Sequence, residues 1–179
     1  MIITITGALG SGKSTVAKLI AKKLNLNHYS TGDFMREIAT KRNLTILGLN
    51  QQAETDKTID KELDDRQINL GKTEDNFIID ARIGWFFIPH SIKIFLDVTD
   101  NEAARRIFEA NRNEKKYNTS INETLENIKK RKESEVKRFK EFYNIDYYTK
   151  SNYDLVIDTT KISPEQVVEK ILNFIKQQK

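Results

Sequence analysis

Cysteine is absent from the 179 residues. Disulfides, thiolate zinc sites and thiol nucleophiles are excluded together, and the composition fits a reducing cytosol, so a cytoplasmic protein is expected. Histidine occurs only at His28 and His90. Neither has a ligand-type neighbour in sequence, and both are read as structural. Proline occurs only at Pro89 and Pro164, and there is no repeat and no low-complexity linker. One domain over residues 1–179 is therefore expected, acting as a monomer. No apolar run approaches the length of a membrane span, and no membrane partner is expected. The start lacks the basic region and long apolar core of a signal peptide, with Gly7 interrupting it early. Neither sign of charge dominates: 30 basic and 26 acidic residues leave +4. The basic residues are spread among acids without an aromatic-basic motif, which argues against a nucleic-acid partner.

Hydrophobic residues make up 38% of the chain, enough for a real core. Ile2 to Thr6 is a β-branched run ending at Gly7, hence a strand. From Lys13 the pattern turns helical, with Val16, Leu19, Ile20 and Leu24 on one face and Asn25 ending the helix. His28 to Ser30 predicts a second strand and Gly32 to Lys41 a second helix. Residues 43–75 predict one or two helices with a thin buried stripe at Ile59, Leu63, Ile68 and Leu70. Phe77 to Ile79, Ile92 to Leu96 and Leu155 to Ile157 are further apolar runs, as a parallel sheet covered on both faces requires. Ser163 is the candidate N-cap of a last helix, with Pro164 at its first position and Val167, Val168, Ile171, Leu172 and Ile175 on one face. The fold class expected is α/β, a doubly wound parallel sheet of five strands with helices on both faces.

Gly7-Ala8-Leu9-Gly10-Ser11-Gly12-Lys13-Ser14 fits G-x-x-x-x-G-K-[ST] without a mismatch, between a strand and a helix. Gly7, Gly10 and Gly12 let the backbone wrap a phosphate with its N–H groups pointing inward. The helix starting near Lys13 adds its positive end. Lys13 can reach the β- and γ-phosphates, and the Ser14 hydroxyl can ligate Mg²⁺. Ser11 and Thr15 complete the expected ATP-binding set. The loop predicts a nucleoside triphosphate and leaves open what becomes of its γ-phosphate. No N-K-x-D guanine reader follows, so a switch GTPase is not expected.

A kinase needs an acceptor site. Thr31-Gly32-Asp33 turns into a helix, and Arg36 returns one turn later to the same side, where its fork suits a phosphate. Past the third strand come Asp80, able to hold a Mg²⁺-bound water together with Asp33, and Arg82, able to hold a phosphate. Residues past the carboxyl ends of strands face the ligand crevice in such sheets. Were the acceptor a nucleotide, a carboxylate with a guanidinium or amide would serve to read its base, and Asp60, Asp64, Arg66 and Gln67 are the candidates.

Over residues 119–143, Ile121, Leu125 and Ile128 start an apolar stripe that Lys132 interrupts and Val136, Phe139 and Phe142 resume. Lys129 to Glu135 is therefore not expected to be ordinary core helix. Arg131, Glu135 and Arg138 fall at i, i+4 and i+7, on a single face. That face is either a solvated ion-pair surface or a lid whose arginines close over phosphates, with Glu135 orienting them.

The phosphate loop, Ser30 to Arg36 and Asp80-Ala81-Arg82 together resemble the nucleoside monophosphate kinases. Arg82-Ile83-Gly84-Trp85, Arg131 to Arg138, Tyr143 to Asp146 and Tyr153 to Asp158 extend the resemblance over nearly the whole chain, to the compact cytidylate kinases of archaea and some bacteria. The chain departs from them with Ala81 where glycine is usual, Asp80 where glutamate is common in the archaeal group, and Glu135 where aspartate is usual. The resemblance implies ATP as donor with Mg²⁺, and CMP or dCMP as acceptor. It implies a phosphate loop over 7–15, a monophosphate-binding region over about 30–75 and a lid over about 112–140. Lys13, Asp80, Arg131 and Arg138 would carry the chemistry. A kinase for AMP, UMP or dephospho-coenzyme A, or an ATP-dependent switch, stays open.

Overall fold

The computed structural model describes residues 1–53, 55–110 and 120–178. Its strands are β1 (Ile2–Gly7), β2 (Asn27–Ser30), β3 (Phe77–Asp80), β4 (Ile92–Asp97) and β5 (Leu155–Asp158). They form a five-stranded sheet in the order β2-β3-β1-β4-β5, with parallel pairing of β1 to β3, β2 to β3 and β4 to β5. The expected α/β class with five parallel strands holds. The helices are α1 (Lys13–Leu24), α2 (Thr31–Lys41), α3 (Ile46–Ala53), α4 (Lys57–Thr73), α5 (Gly84–Phe87), α6 (Asp100–Glu109), α7 (Ile121–Tyr143) and α8 (Pro164–Gln177). No helix among the described residues is long and apolar enough to cross a membrane.

The chain groups into two compact units, one of Met1–Thr6 with Ala17–Lys93, the other of Gly7–Val16 with Ile94–Lys179. In the first unit, Ile2, Leu70, Phe77, Ile79 and Ile88 form one buried cluster. Ile38, Ala39, Leu49, Ala53 and Ile59 form another, which binds α2, α3 and α4 together. Asp56 caps α4 by accepting the Thr58 N–H at 3.0 Å. Ser30 stands at the N-cap of α2 but makes no side-chain cap bond, because its hydroxyl donates to Asp80 instead, at 3.0 Å.

In the second unit, Ala8, Val98, Ala103, Ala104 and Ile128 make a core of small and medium side chains. Ser163 and Gln166 complete a reciprocal capping box at the start of α8, with Pro164 at its first turn. The buried face of α8 is Val167, Val168, Ile171 and Ile175, and Leu172 lies half-buried beside it. Ser120 caps α7 by accepting the Glu123 N–H, and Asn144 ends it in the left-handed conformation, φ 56°. That conformation suits asparagine better than most side chains.

The details depart from the expected pattern at three places. A short helix, α5, lies between β3 and β4, where four residues of aromatic sequence carry too little periodicity to predict one. The buried face of α7 is Thr124, Ile128, Glu135 and Phe139, so Glu135 belongs to the packed face and Ile121, 43% exposed, does not. A parallel shift occurs on α4, where Gln67 is buried and Ile68 lies half-buried beside that face.

Candidate active site

The phosphate loop is built within the second unit. A Cβ on Gly7 would lie 2.1 Å from the Leu96 carbonyl oxygen, so only glycine lets the strand leave the sheet there. Gly12 has open space around it but a φ of +86°, which an L side chain rarely adopts. The Ala8 N–H donates to the Leu96 carbonyl at 3.0 Å, and the Ser11 hydroxyl and N–H both close onto the Ala8 carbonyl. Lys13 Nζ donates to the carbonyls of Gly7 at 3.0 Å and Ala8 at 2.7 Å, so the lysine lies along its own loop. Ser14 is half-buried and Thr15 exposed at the start of α1.

The loop is braced from outside by residues to which no motif pointed. Arg106 Nη2 donates to the Thr159 carbonyl at 2.7 Å, and its Nη1 reaches the Thr159 hydroxyl at 3.2 Å and the Gly10 carbonyl at 3.5 Å. The Thr159 hydroxyl lies 3.2 Å from the Ser11 carbonyl and 2.8 Å from that of Asp97. Glu102 holds Arg106 Nε at 2.8 Å and also pairs with Arg105. Hydrogen bonding from Arg105, with Arg106 adding to it, draws the Glu102 carboxyl down from 4.5 to about 2.

The acceptor-side candidates belong to the first unit. Asp80 is buried at the end of β3. Its Oδ1 accepts from Ser30 at 3.0 Å, its Oδ2 lies 2.9 Å from His28 Nε2, and the Thr31 hydroxyl reaches its carbonyl at 3.4 Å. His28, read from the sequence as structural, is in contact with the Asp80 carboxylate. One signal was in the sequence: His28 and Ser30 are two apart on a strand, hence on one face. On α2, Arg36 pairs with Asp33. A Cβ on Gly32 would lie 3.7 Å from Arg36 Nη1, so the arginine does fold back over the turn. Arg82 is half-buried one residue beyond Ala81.

Of the base-reading candidates, Asp60 and Gln67 are buried, and Asp64 is half-buried. Arg66 donates to Glu37 at 2.8 Å and to Glu62 at 3.1 Å, with its guanidinium 5.5 Å from the centre of the Phe34 ring. Arg66 is thereby brought beside the helix that carries Asp33 and Arg36.

On α7, Arg131 Nε donates to Glu135 Oε1 at 3.0 Å, and the hydroxyl of Tyr147 donates to Glu135 Oε2, also at 3.0 Å. The expected Arg131–Glu135 contact is present. Arg138 is half-buried, its guanidinium 5.3 Å from the Phe139 ring centre. Tyr147, 1% exposed, was missed, and nothing local marks a tyrosine whose partner sits on a helix ending four residues earlier. The front of the expected lid, residues 112–119, lies outside the described residues. An open depression of about 370 Å³ on the second unit is lined by Asp97, Asp100 and Asp158 with Val98 and Thr99. Three carboxylates make it a poor place for a phosphate.

A glycine loop leading from the middle strand of a parallel sheet into a helix defines the class, a P-loop kinase fold. The fold is shared with an uncharacterized protein from Eubacterium ventriosum, at a TM-score of 0.74 and 19% identity over 98% of both chains. It is also shared with shikimate kinase from Bacteroides thetaiotaomicron, at 0.70 and 16% over 98% of both. The chain belongs to the cytidylate kinase-like family, whose sequence model matches residues 2–161. It is 41% identical to the cytidylate kinase of Natronomonas pharaonis over 178 residues, 97% of this chain and 90% of that protein. With the cytidylate kinase of Sulfurisphaera tokodaii it shares 39% over 180 residues, 98% of this chain and 97% of that one.

Proposed function

We propose that the protein is an ATP-dependent cytidylate kinase, converting ATP and CMP to ADP and CDP, with dCMP as a second acceptor. The observation that carries this reading is an intact phosphate loop within a chain that matches cytidylate kinases over nearly its full length. The parts assigned are the phosphate loop over 7–15, the monophosphate-binding region over about 30–75 and the lid over about 112–140.

A phosphate oxygen of CMP attacks the γ-phosphorus of ATP. The new P–O bond forms as the bond to the β–γ bridging oxygen breaks, and ADP leaves. The nucleophile is already ionised near neutral pH, since such phosphates have a second pKa of about 6. No side chain has to take a proton, unlike transfer to a hydroxyl. Catalysis is then positioning and charge neutralisation. The two nucleotides together carry on the order of six negative charges. Lys13 and the loop N–H groups take the ATP phosphates. Arg36 and Arg82 take the acceptor phosphate, and Arg131 and Arg138 take the transferring group. Asp64 and Arg66 read the base. Arg66 uses two of its five N–H groups on Glu37 and Glu62, which leaves donors for a ring carbonyl.

Ser14, Asp33 and Asp80 offer hard oxygen donors, the kind Mg²⁺ takes. Ser14 would ligate the ion, with Asp33 and Asp80 holding its waters. Bound there with ATP, Mg²⁺ would neutralise charge on the β- and γ-phosphates.

The test is an acceptor screen with Mg-ATP. CMP or dCMP is expected to exceed AMP, UMP and GMP in kcat/KM by at least about tenfold, roughly 1.4 kcal/mol of transition-state binding. A preference for AMP would remove the cytidylate reading and leave the kinase. Hydrolysis of ATP without any phosphorylated acceptor would point to a switch protein.

A further inference from the structure

We propose that His28 is a positioning residue for the reaction, one that fixes the Asp80 carboxylate in the orientation needed to hold a metal-bound water. The proposal rests on the role assigned above to Asp80. The strand register supplies the geometry. Ser30 lies directly opposite Asp80, and His28 opposite Ile78, two residues back on the same face. A serine reaches only its opposite neighbour. A longer side chain can also reach the neighbour one pair further along the same face. The imidazole spans that step and places Nε2 at 2.9 Å from Oδ2, while Ser30 holds Oδ1 at 3.0 Å.

Both side chains of the His28–Asp80 pair are largely buried, 15% and 7% exposed. A carboxylate taken out of water has to be compensated by donors, and His28 and Ser30 each serve one of its oxygens. An anionic Asp80 can only accept, so His28 carries its proton on Nε2. With both oxygens tied, the carboxylate cannot turn about its Cβ–Cγ bond. A preset acceptor needs no reorganisation when charge builds in the transition state. The Thr31 hydroxyl, 3.4 Å from the Asp80 carbonyl, ties the same residue to the turn that starts α2.

The experiment compares His28→Leu, His28→Gln, Ser30→Ala and Asp80→Asn with the full-length parent. Calorimetry measures ADP binding with Mg²⁺ and again with EDTA, and steady-state kinetics gives kcat and KM. Loss of a residue that orients a metal-binding group commonly costs 10–100-fold in metal affinity or activity. In His28→Leu the tightening of ADP binding by Mg²⁺ is expected to shrink by about tenfold, and kcat to fall by about tenfold or more. Binding of ADP in EDTA and KM for CMP are expected to stay within about twofold, since neither uses the metal-side carboxylate. Glutamine, whose amide nitrogen can stand where Nε2 stands, restores both quantities. Ser30→Ala, which frees the other oxygen, moves them in the same direction and keeps the idea testable if leucine prevents folding. Loss in Asp80→Asn with parental values in His28→Leu would overturn the His28 role alone. Parental values in Asp80→Asn would instead remove the assignment of Asp80 on which it rests. Equal losses in His28→Leu and His28→Gln would mean that ring packing matters and the donor does not, and would also overturn it.

Discussion

Four alanine variants on α7 separate a phosphate clamp from a general basic field. The structure sets what each should cost in stability. Arg131 is half exposed and has Glu135 as a partner at 3.0 Å, and a pair of that kind is worth about 0.5 kcal/mol. Lys137 is exposed and should stay within about 0.5 kcal/mol. Lys132 sits 4.6 Å from the centre of the Tyr148 ring, and loss of such a contact costs about 0.5–1 kcal/mol. Arg138 holds its guanidinium 5.3 Å from the centre of the Phe139 ring, for about 1 kcal/mol. At about 2–4 °C per kcal/mol in a chain of this size, no variant should lower Tm by more than roughly 4 °C. Activity should divide the four differently. Arg131→Ala and Arg138→Ala should each lower kcat by about 10²-fold or more, as loss of charge stabilisation at a transferring group does. Lys132→Ala and Lys137→Ala should keep most activity, although they remove the same charge. The assay is kcat at saturating CMP and Mg-ATP with ionic strength held fixed, alongside a melting curve. Equal, mild losses across the four would mean diffuse electrostatics. A fall in Tm beyond about 8 °C at either arginine would mean a structural role. Either result refutes the clamp.

Lys13→Ala should abolish most transfer, by about 10²-fold or more in kcat, with a smaller loss of Tm from the two carbonyl contacts that the lysine makes. Near-parental turnover of CMP would refute the phosphate-loop assignment. Tyr147→Phe removes one donor from a buried carboxylate and should cost about 1.5–3 kcal/mol, read as a Tm loss of roughly 3–12 °C. An unchanged Tm would show that the Tyr147–Glu135 bond contributes nothing. The folded-state pKa of Glu102 is depressed, from 4.5 to about 2. Its contribution is therefore complete above pH 4.5 and is lost as pH falls towards 2. Glu102→Gln should lower Tm at neutral pH and flatten its decline across that acid window. An acid limb identical to the parent's would refute the linkage.

The phosphate loop was legible because its demands are local: three glycines, a lysine and a hydroxyl within eight residues. The strands were legible for a similar reason, since β-branched runs bounded by turn residues need no distant information. Glu135 shows where that ends. Its buried carboxylate is met by Tyr147, and no spacing rule links a helix face to a tyrosine beyond the helix end. Arg106 and Thr159 are a second case. They brace the loop from 96 and 148 positions away in the chain, and neither belongs to a recognisable motif. His28 lay between the two cases. Its strand and face were readable, but its partner required the register of β2 against β3. Gln67 and Ile68 differ by one position, or about 100° around a helix. Hydrophobicity alone chose the wrong one.

The two outermost strands of the sheet are β2 and β5, each four residues long. An outer strand presents unpaired backbone donors and acceptors to any passing chain, and length governs how firmly a stranger can be zipped on. Four residues expose only about 13 Å of ladder. Along β2 the sequence is Asn27-His28-Tyr29-Ser30, with His28 and Ser30 committed to Asp80. Along β5, Val156 is exposed, but the next exposed position is the charged Asp158. The longer six-residue strands, β1 and β4, lie inside the sheet order, away from its borders. The fold thus keeps its longest ladders away from the borders, where they would be the readiest templates for a stranger's strand.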